Sequence, residues 1–385
     1  MKVRKKAENS CEHRLHIASK KTRRSLMRTK FVMSVLLILA MLVTISTQSL
    51  LSGVLINAYA ETTVVLAQTA QGANQSVDTA PAILAEETAS TLKNPRILAD
   101  SSMAAGQKVT WDCVWFGNYP QTEIVDKAET SGCYGKPWAS DSDYKVDTSL
   151  YEKLKSATYD VNGDTTINGT KYRRIKMSDA TCVTGGSSRY YSWSDSTSYH
   201  YFRYDPIKWR VLNVSSGKAF LFADKALDNQ RYNALYTNIT WEKSTIRSWL
   251  NGYGSSSNTY GTDYSSKNFI DSAFTSGEQN AIETTSVVNK DNLYYNTDGG
   301  NETNDKIFLL SESEAYADAA KSYGFASTYN TDEEARMCKS SAFAKAMGIL
   351  SSPDSDYIGN CWWWLRSPGE YKNNAAYVCN NGYGY

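Results

Sequence analysis

The sequence predicts an α+β domain over residues 106–385, and three observations carry that reading. Short runs rich in β-branched and aromatic residues recur, as in KVTWDCVWFGNYP, IKWRVL, AFLF and WWWLR. Helical segments between them open on capping residues and close on glycine. The two kinds of element do not alternate as regular βαβ units, which disfavours a doubly wound parallel sheet.

Taken in order, Trp111, Val114, Phe116 and Tyr119 form the apolar face of a first strand, which a turn at Tyr119-Pro120 should close. Residues 121–200 are polar and rich in Ser, Asp and Tyr, and read as an insertion. Strands at Ile207–Leu212 and Ala219–Phe222 flank a Ser-Gly turn, with Trp209 as a core residue. In WEKSTIRSWLNGYG, Ile246, Trp249 and Leu250 recur at helical spacing and Gly252 ends the helix. Thr275 with Glu278, Ser311 with Glu314, and Thr331 with Glu334 each have capping-box spacing, and Gly348 should close the last of these helices. Alternation along WWWLR puts Trp362, Trp364 and Arg366 on one face and Trp363 and Leu365 on the other. An arginine on a buried face needs an acid, so Glu314 or Glu312 is expected to pair with Arg366.

Upstream of the domain, residues 1–60 read as a secretory signal peptide, or a signal anchor if uncleaved. A basic segment precedes the uncharged run FVMSVLLILAMLVTIST, and Ala58-Tyr59-Ala60 offers a small-x-small cleavage site. Residues 61–105 are Ala- and Thr-rich and read as a stalk. The protein is therefore expected to be secreted, or held at the outer face of the cytoplasmic membrane, with membrane contact only through its N-terminal segment.

Composition excludes several functions. With 41 Lys+Arg against 40 Asp+Glu there is no basic excess for nucleic acid. His200 is the only histidine past the leader, so a histidine-rich metal centre is excluded, and its aromatic surroundings favour packing. No G-x-S-x-G or H-E-x-x-H motif occurs. In DVNGDTTIN, Asp160, Asn162 and Asp164 have calcium-loop spacing, but Thr165 stands where glycine is needed and Lys171 where the closing acid belongs. An Asn-Gly turn between strands is the better reading; no cofactor is expected, with calcium the remaining candidate. Past the leader stand Cys113, Cys133, Cys182, Cys338, Cys361 and Cys379, an even set that permits disulfides in an exported protein.

The C-terminal stretch is the candidate ligand surface. Arg366, Glu370, Tyr371, Asn373, Asn374, Tyr377, Asn380, Asn381 and Tyr383 combine flat phenol rings with adaptable amides, the palette of binding loops. The alternative is a solvent-facing β-meander with an Asn-Gly turn at Asn381-Gly382.

The blocks WFGNYPQTE, PIKWRVL, ALDNQRYN, WEKSTIRSWLN, DKIFLLSESE, YGF and WWWLRSPG, in that order, resemble the bacterial domain-of-unknown-function family numbered 6273 over residues 111–385. That resemblance implies an exported protein of Gram-positive bacteria. The closing motif is also similar to the C-type-lectin-like fold shared with formylglycine-generating enzymes, which implies a lectin-like mixed sheet. Family members continue past WLRSPG to a final strand resembling G-V-R-P-A, whereas this sequence reads to Tyr385 without one, as a truncated product would. The cysteine pattern of those oxidases is not matched by Cys361 and Cys379, so no catalytic residue is carried over. The expected function is non-catalytic recognition of a glycan or protein at the cell surface. The competing readings are an enzyme of the formylglycine-generating type and a structural envelope protein without a ligand.

Overall fold

The computed structural model describes residues 40–44, 91–128, 143–183, 193 and 196–385. All of them fall in one unit, Val35–Tyr385. Strand β1 (Ala40–Thr44) lies inside the apolar run at the N-terminus. Strands β2 (Arg96–Ala99) and β3 (Gln107–Thr110) form a hairpin. The domain therefore begins before residue 106: Asp112 accepts the Lys93 amide and the Arg96 guanidinium, both at 2.9 Å.

Strand β4 (Cys113–Val125) does not stop at Tyr119-Pro120 as the Pro signal suggested. It runs on beside its neighbour through two irregularities, between Trp115 and Asn118 and between Pro120 and Thr122. Bulges let a strand carry a residue that has no amide to donate. Gly117 supplies the first bend at φ +71°, where a Cβ would stand 2.4 Å from the Phe274 ring.

The described part of the polar stretch after β4 forms regular structure. It holds β5 (Tyr144–Val146), helix α1 (Thr148–Ser156), β6 (Asp164–Ile167) and β7 (Thr170–Ile175). Asn168 and Gly169, both at positive φ, make the two-residue turn between β6 and β7. Ile124, Leu154, Tyr172 and Tyr201 bury against one another beneath this part. The Asp164 carboxylate, fifth in the calcium-like stretch, is already engaged by Arg173, Lys171 and the Tyr204 hydroxyl.

The spine of the fold is β8 (His200–Ser215), sixteen residues long. One edge pairs with β4 along most of its length; the other pairs with β7 at one end and with β9 (Lys218–Ala223) at the other. The β8–β9 turn is Ser216-Gly217, again with both φ values positive. Next come β10 (Lys225–Ala226), α2 (Thr245–Asn251), α3 (Phe269–Ala273) and α4 (Ser276–Ala281). Strands β11 (Thr285–Val287), β12 (Thr303–Asp305) and β13 (Ile307–Phe308) lead to α5 (Glu312–Tyr316). Strand β14 (Lys339–Ser340), α6 (Ala342–Ala346), β15 (Trp363–Pro368) and β16 (Ala375–Val378) complete the chain. The main sheet runs β13-β1-β9-β8-β4-β5, so the backbone of β1 bridges β9 and β13.

The N-caps Thr275 of α4 and Ser311 of α5 follow their sequence signals, as does Gly252, left-handed behind α2; the N-cap of α2 is Ser244. Thr331 does not cap a helix. The Glu333 amide goes to the Asn381 carbonyl instead, one turn forms, and the actual helix starts ten residues later at N-cap Ser341. Trp209, Trp241, Phe222, Phe325, Phe343 and Trp363 form the centre of the core, with Trp249 at its margin and Trp362 and Trp364 only partly covered. Strands and helices are thus mixed without βαβ order, as the sequence predicts.

Candidate functional site

The C-terminal stretch folds as a small meander. Trp363 opposes Val378 and Trp364 opposes Tyr377 in the β15–β16 pair. Past β16, Gly382 turns the chain at φ +86°, and Tyr377 and Tyr385 exchange both backbone bonds at 2.7 and 2.8 Å. The Tyr377 and Tyr385 rings stack at 5.3 Å with an interplanar angle of 9°, and Tyr377 meets Trp364 edge-on.

Three buried polar groups hold this meander from below. The Arg366 guanidinium forks onto Glu314, with Nη1–Oε2 at 2.5 Å and Nη2–Oε1 at 3.1 Å, and also donates to the Leu309 and Val288 carbonyls. Glu314 completes the α5 capping box at the same time, so one carboxylate joins β15 to the start of α5. Burial alone would raise its pKa, but the Arg366 charge and the Ser311 bonds outweigh burial and hold it low. Glu312 accepts from Asn292, Tyr316 and the Leu293 amide, tying the 292–297 loop to the same place. Arg336, fully buried, donates from Nε to the Gly382 carbonyl and from its two Nη atoms to those of Ala326 and Thr328, each at 2.7 Å.

The resulting face is rich in exposed tyrosines. Tyr371 is 55% exposed, and the 292–297 loop approaches it through a bond from Thr297 Oγ1 to the Glu370 carbonyl. That loop carries exposed Tyr294 and Tyr295, and Tyr294 packs on Tyr329 at 4.7 Å. On the other flank, the exposed Tyr236 donates its hydroxyl to Asn374.

A separate cleft of about 220 Å³ opens between the β6–β7 hairpin, α2 and the segment after β10. Asp228, 3% exposed, lies in its wall, accepting the Tyr119 hydroxyl at 2.5 Å and the Asn229 amide at 2.6 Å. Burial pushes the Asp228 carboxyl up to about 6, against the opposing pull of these two donors and of Arg173 and Gln230. Among the described residues no cluster of three or more His, Cys, Asp or Glu side chains could hold a metal ion.

Residues 216–384 match the family model described as Domain of unknown function (DUF6273). Over these residues the chain is similar to that family. No curated protein and no solved structure matches the chain.

The DUF6273-like segment begins inside the β8–β9 turn and so carries the meander up to Gly384, both of its tyrosine flanks, and Asp228. The strands β4 and β8, which hold the WFGNYPQTE and PIKWRVL blocks, precede it in the chain. Of the sequence candidates, Glu370 and Tyr371 are exposed, while Asn373, Asn374, Tyr377, Asn380, Asn381 and Tyr383 are half-buried. Several of the half-buried group are already engaged: Asn381 donates to Asp332 at 2.8 Å, and Asn374 accepts from Tyr236. Arg366 stands apart, 5% exposed and committed to Glu314, so its place in the DUF6273-like segment is that of a support. Sequence reading missed Tyr294, Tyr295, Tyr329 and Asp228. The first three sit far from the tail in sequence, and Asp228 was visible only as part of the ALDNQRYN block.

The Asp228 carboxyl gives the domain a testable pH dependence. Its folded pKa lies above the unfolded value, so its stabilising proton is fully present below about pH 4 and is lost as pH rises through about 6. Asp228→Asn removes this titration. Denaturant titrations of the variant and the parent at pH 4 and pH 8 are expected to differ by about 2 kcal/mol in their stability difference, in the variant's favour at the higher pH. A stability difference independent of pH would show that folding does not shift this carboxyl's pKa.

Proposed function

We propose that this protein is a non-catalytic recognition module of the bacterial cell surface, with the tyrosine-bordered meander as the face that meets a glycan or protein. The observation that carries this reading is the pairing of exposed Tyr371, Tyr294, Tyr295 and Tyr236 with a backbone pinned from beneath. Phenol rings bring large contact area with little rotamer entropy to lose, and their flat faces suit sugar rings. A pinned backbone lowers the ordering cost of binding. A lectin-like scaffold and a leader-directed outer location belong to the same proposal, the leader resting on the basic and apolar segments of residues 1–60. Among the described residues no helix is long and apolar enough to cross a membrane.

Glycan-array binding of the full chain tests the proposal. Tyr371→Ala and Tyr294→Ala are each expected to weaken binding by about tenfold or more, as loss of a stacked aromatic does. Retained binding in both variants would place the contact face elsewhere. The Asp228 cleft favours the competing reading, an enzyme, because perturbed carboxyls in clefts are the usual acids and bases of catalysis. Turnover of a sugar substrate that disappears in Asp228→Asn would support that reading over the first.

A further inference from the structure

The cysteines around β14 and β15 are placed for chemistry that the ligand face does not use. Lys339 and Asn360 are directly opposed in an antiparallel bridge. In that register the next opposed residues are Cys338 and Cys361, and the Cys361 amide donates to the Cys338 carbonyl at 2.9 Å. Opposed residues of an antiparallel pair have Cα atoms about 4.5–5.5 Å apart, inside the window of about 4.4–6.8 Å that a disulfide spans. Both thiols are free in the structure: Cys361 Sγ donates to the Cys338 carbonyl at 2.9 Å, and Cys338 Sγ lies against the Lys339 carbonyl at 3.4 Å.

We infer that Cys338 and Cys361 join as a disulfide when the chain folds in an oxidising compartment. The oxidant is a protein or small-molecule disulfide, RS–SR. One cysteine thiolate attacks it, forming a mixed disulfide and releasing RS⁻. The second thiolate then attacks the cysteine sulfur of that mixed disulfide and releases the other RS⁻. Two electrons pass from the cysteine pair to the donor, which leaves as two thiols after taking up the two protons.

The timing follows from burial. Cys338 is 2% and Cys361 0% exposed in the folded domain. Burial first, and the Cys338 thiol beside it second, push the Cys361 thiol up, so neither exchange step proceeds well once the core has closed. The bond forms while the chain is still open and is afterwards shielded from reductant. It encloses α6, whose Phe343 lines the Asp228 cleft together with the C-cap Met347, and it fixes the strand that carries Trp363.

The inference rests on the export half of the proposed function and is independent of any ligand. The test is peptide mapping of the full chain after alkylation in denaturant without reductant, on protein made in an oxidising and in a reducing compartment. The expected result is a linked peptide pair carrying Cys338 and Cys361 in the oxidised preparation alone. Cys338→Ser and Cys361→Ser should each lower Tm by something on the order of 5 °C against the oxidised parent, and by little against the reduced one. Cys379→Ser should keep the link. Both thiols alkylated in the oxidised preparation, or either one bonded to Cys379, would overturn the inference. That readout uses the parent protein, so it stands even if a variant does not fold. Free thiols with intact glycan binding would sink the disulfide alone, and a linked pair without any binding would sink only the ligand face.

Discussion

Arg366→Met is expected to destabilise the domain by about 3 kcal/mol and lower Tm by about 5–10 °C, because it leaves the Glu314 carboxylate without its fork partner. The cost arises less from the lost attraction than from a largely covered charge left behind. Glu314 keeps the Ser311 amide, which is why the expected loss lies at the lower end for a broken buried pair. The double variant Arg366→Met with Glu314→Met removes both charges and should recover a good part of the loss. A double-mutant cycle in denaturant measures this, and strictly additive effects would mean the pair is not coupled. The pair also predicts acid sensitivity. Glu314 is held below its ordinary pKa, so its contribution is present above about pH 4.5 and is lost as pH falls through the folded value. That part of the acid transition should vanish in the double variant.

Arg336→Met should cost at least as much, about 3–5 kcal/mol, and should act on the meander directly. The Arg336 guanidinium satisfies carbonyls on three stretches of chain: Ala315 on α5, Ala326, Thr328 and Thr331 on the loop after it, and Gly382 in the terminal turn. Burial lowers its pKa to about 10, still charged at neutral pH. Methionine would fill much of the volume and leave those carbonyls without a donor. Amide hydrogen exchange is the discriminating measurement, since the amides of Tyr377, Cys379, Gly382 and Tyr385 close the terminal turn. They should exchange orders of magnitude faster in the variant while β4 and β8 keep their protection. Uniform loosening of the whole domain would mean that Arg336 supports the core at large rather than the meander.

These two arginines show where sequence reading reaches and where it stops. Arg366 was legible as a charge on a core strand with a capping glutamate nearby, although Trp362 and Trp364 on its alternation face are half-buried and the pairing shifts between Trp364 and Pro368. Arg336 was not, since carbonyl acceptors leave no residue signature and its segment carries a capping pattern for a helix that does not form. Thr331 and Glu334 have the right spacing, yet the Asn381 carbonyl takes the Glu333 amide and the Arg336 carbonyl takes the Trp363 indole, so the turn is spent on long-range bonds. The tail was legible as a meander with an Asn-Gly turn. Its tyrosine flanks were not, because Tyr236, Tyr294 and Tyr329 reach it only through folding.

By itself the sequence determined the mixed α+β class, the β8–β9 hairpin, the N-caps of α4 and α5, the glycine that ends α2, and the need for an acid beside Arg366. Each of these follows from forces acting over a few residues, such as side-chain alternation, positive φ at glycine, and a hydroxyl near an orphan amide. Only the tertiary structure decided that β4 runs through Pro120, that residues 143–175 extend the main sheet, that β1 bridges β9 and β13, and that Asp228 meets Tyr119 inside a cleft. Those outcomes depend on which distant strand edge, carbonyl or hydroxyl satisfies a buried polar group, and that competition is settled only when the whole chain has closed.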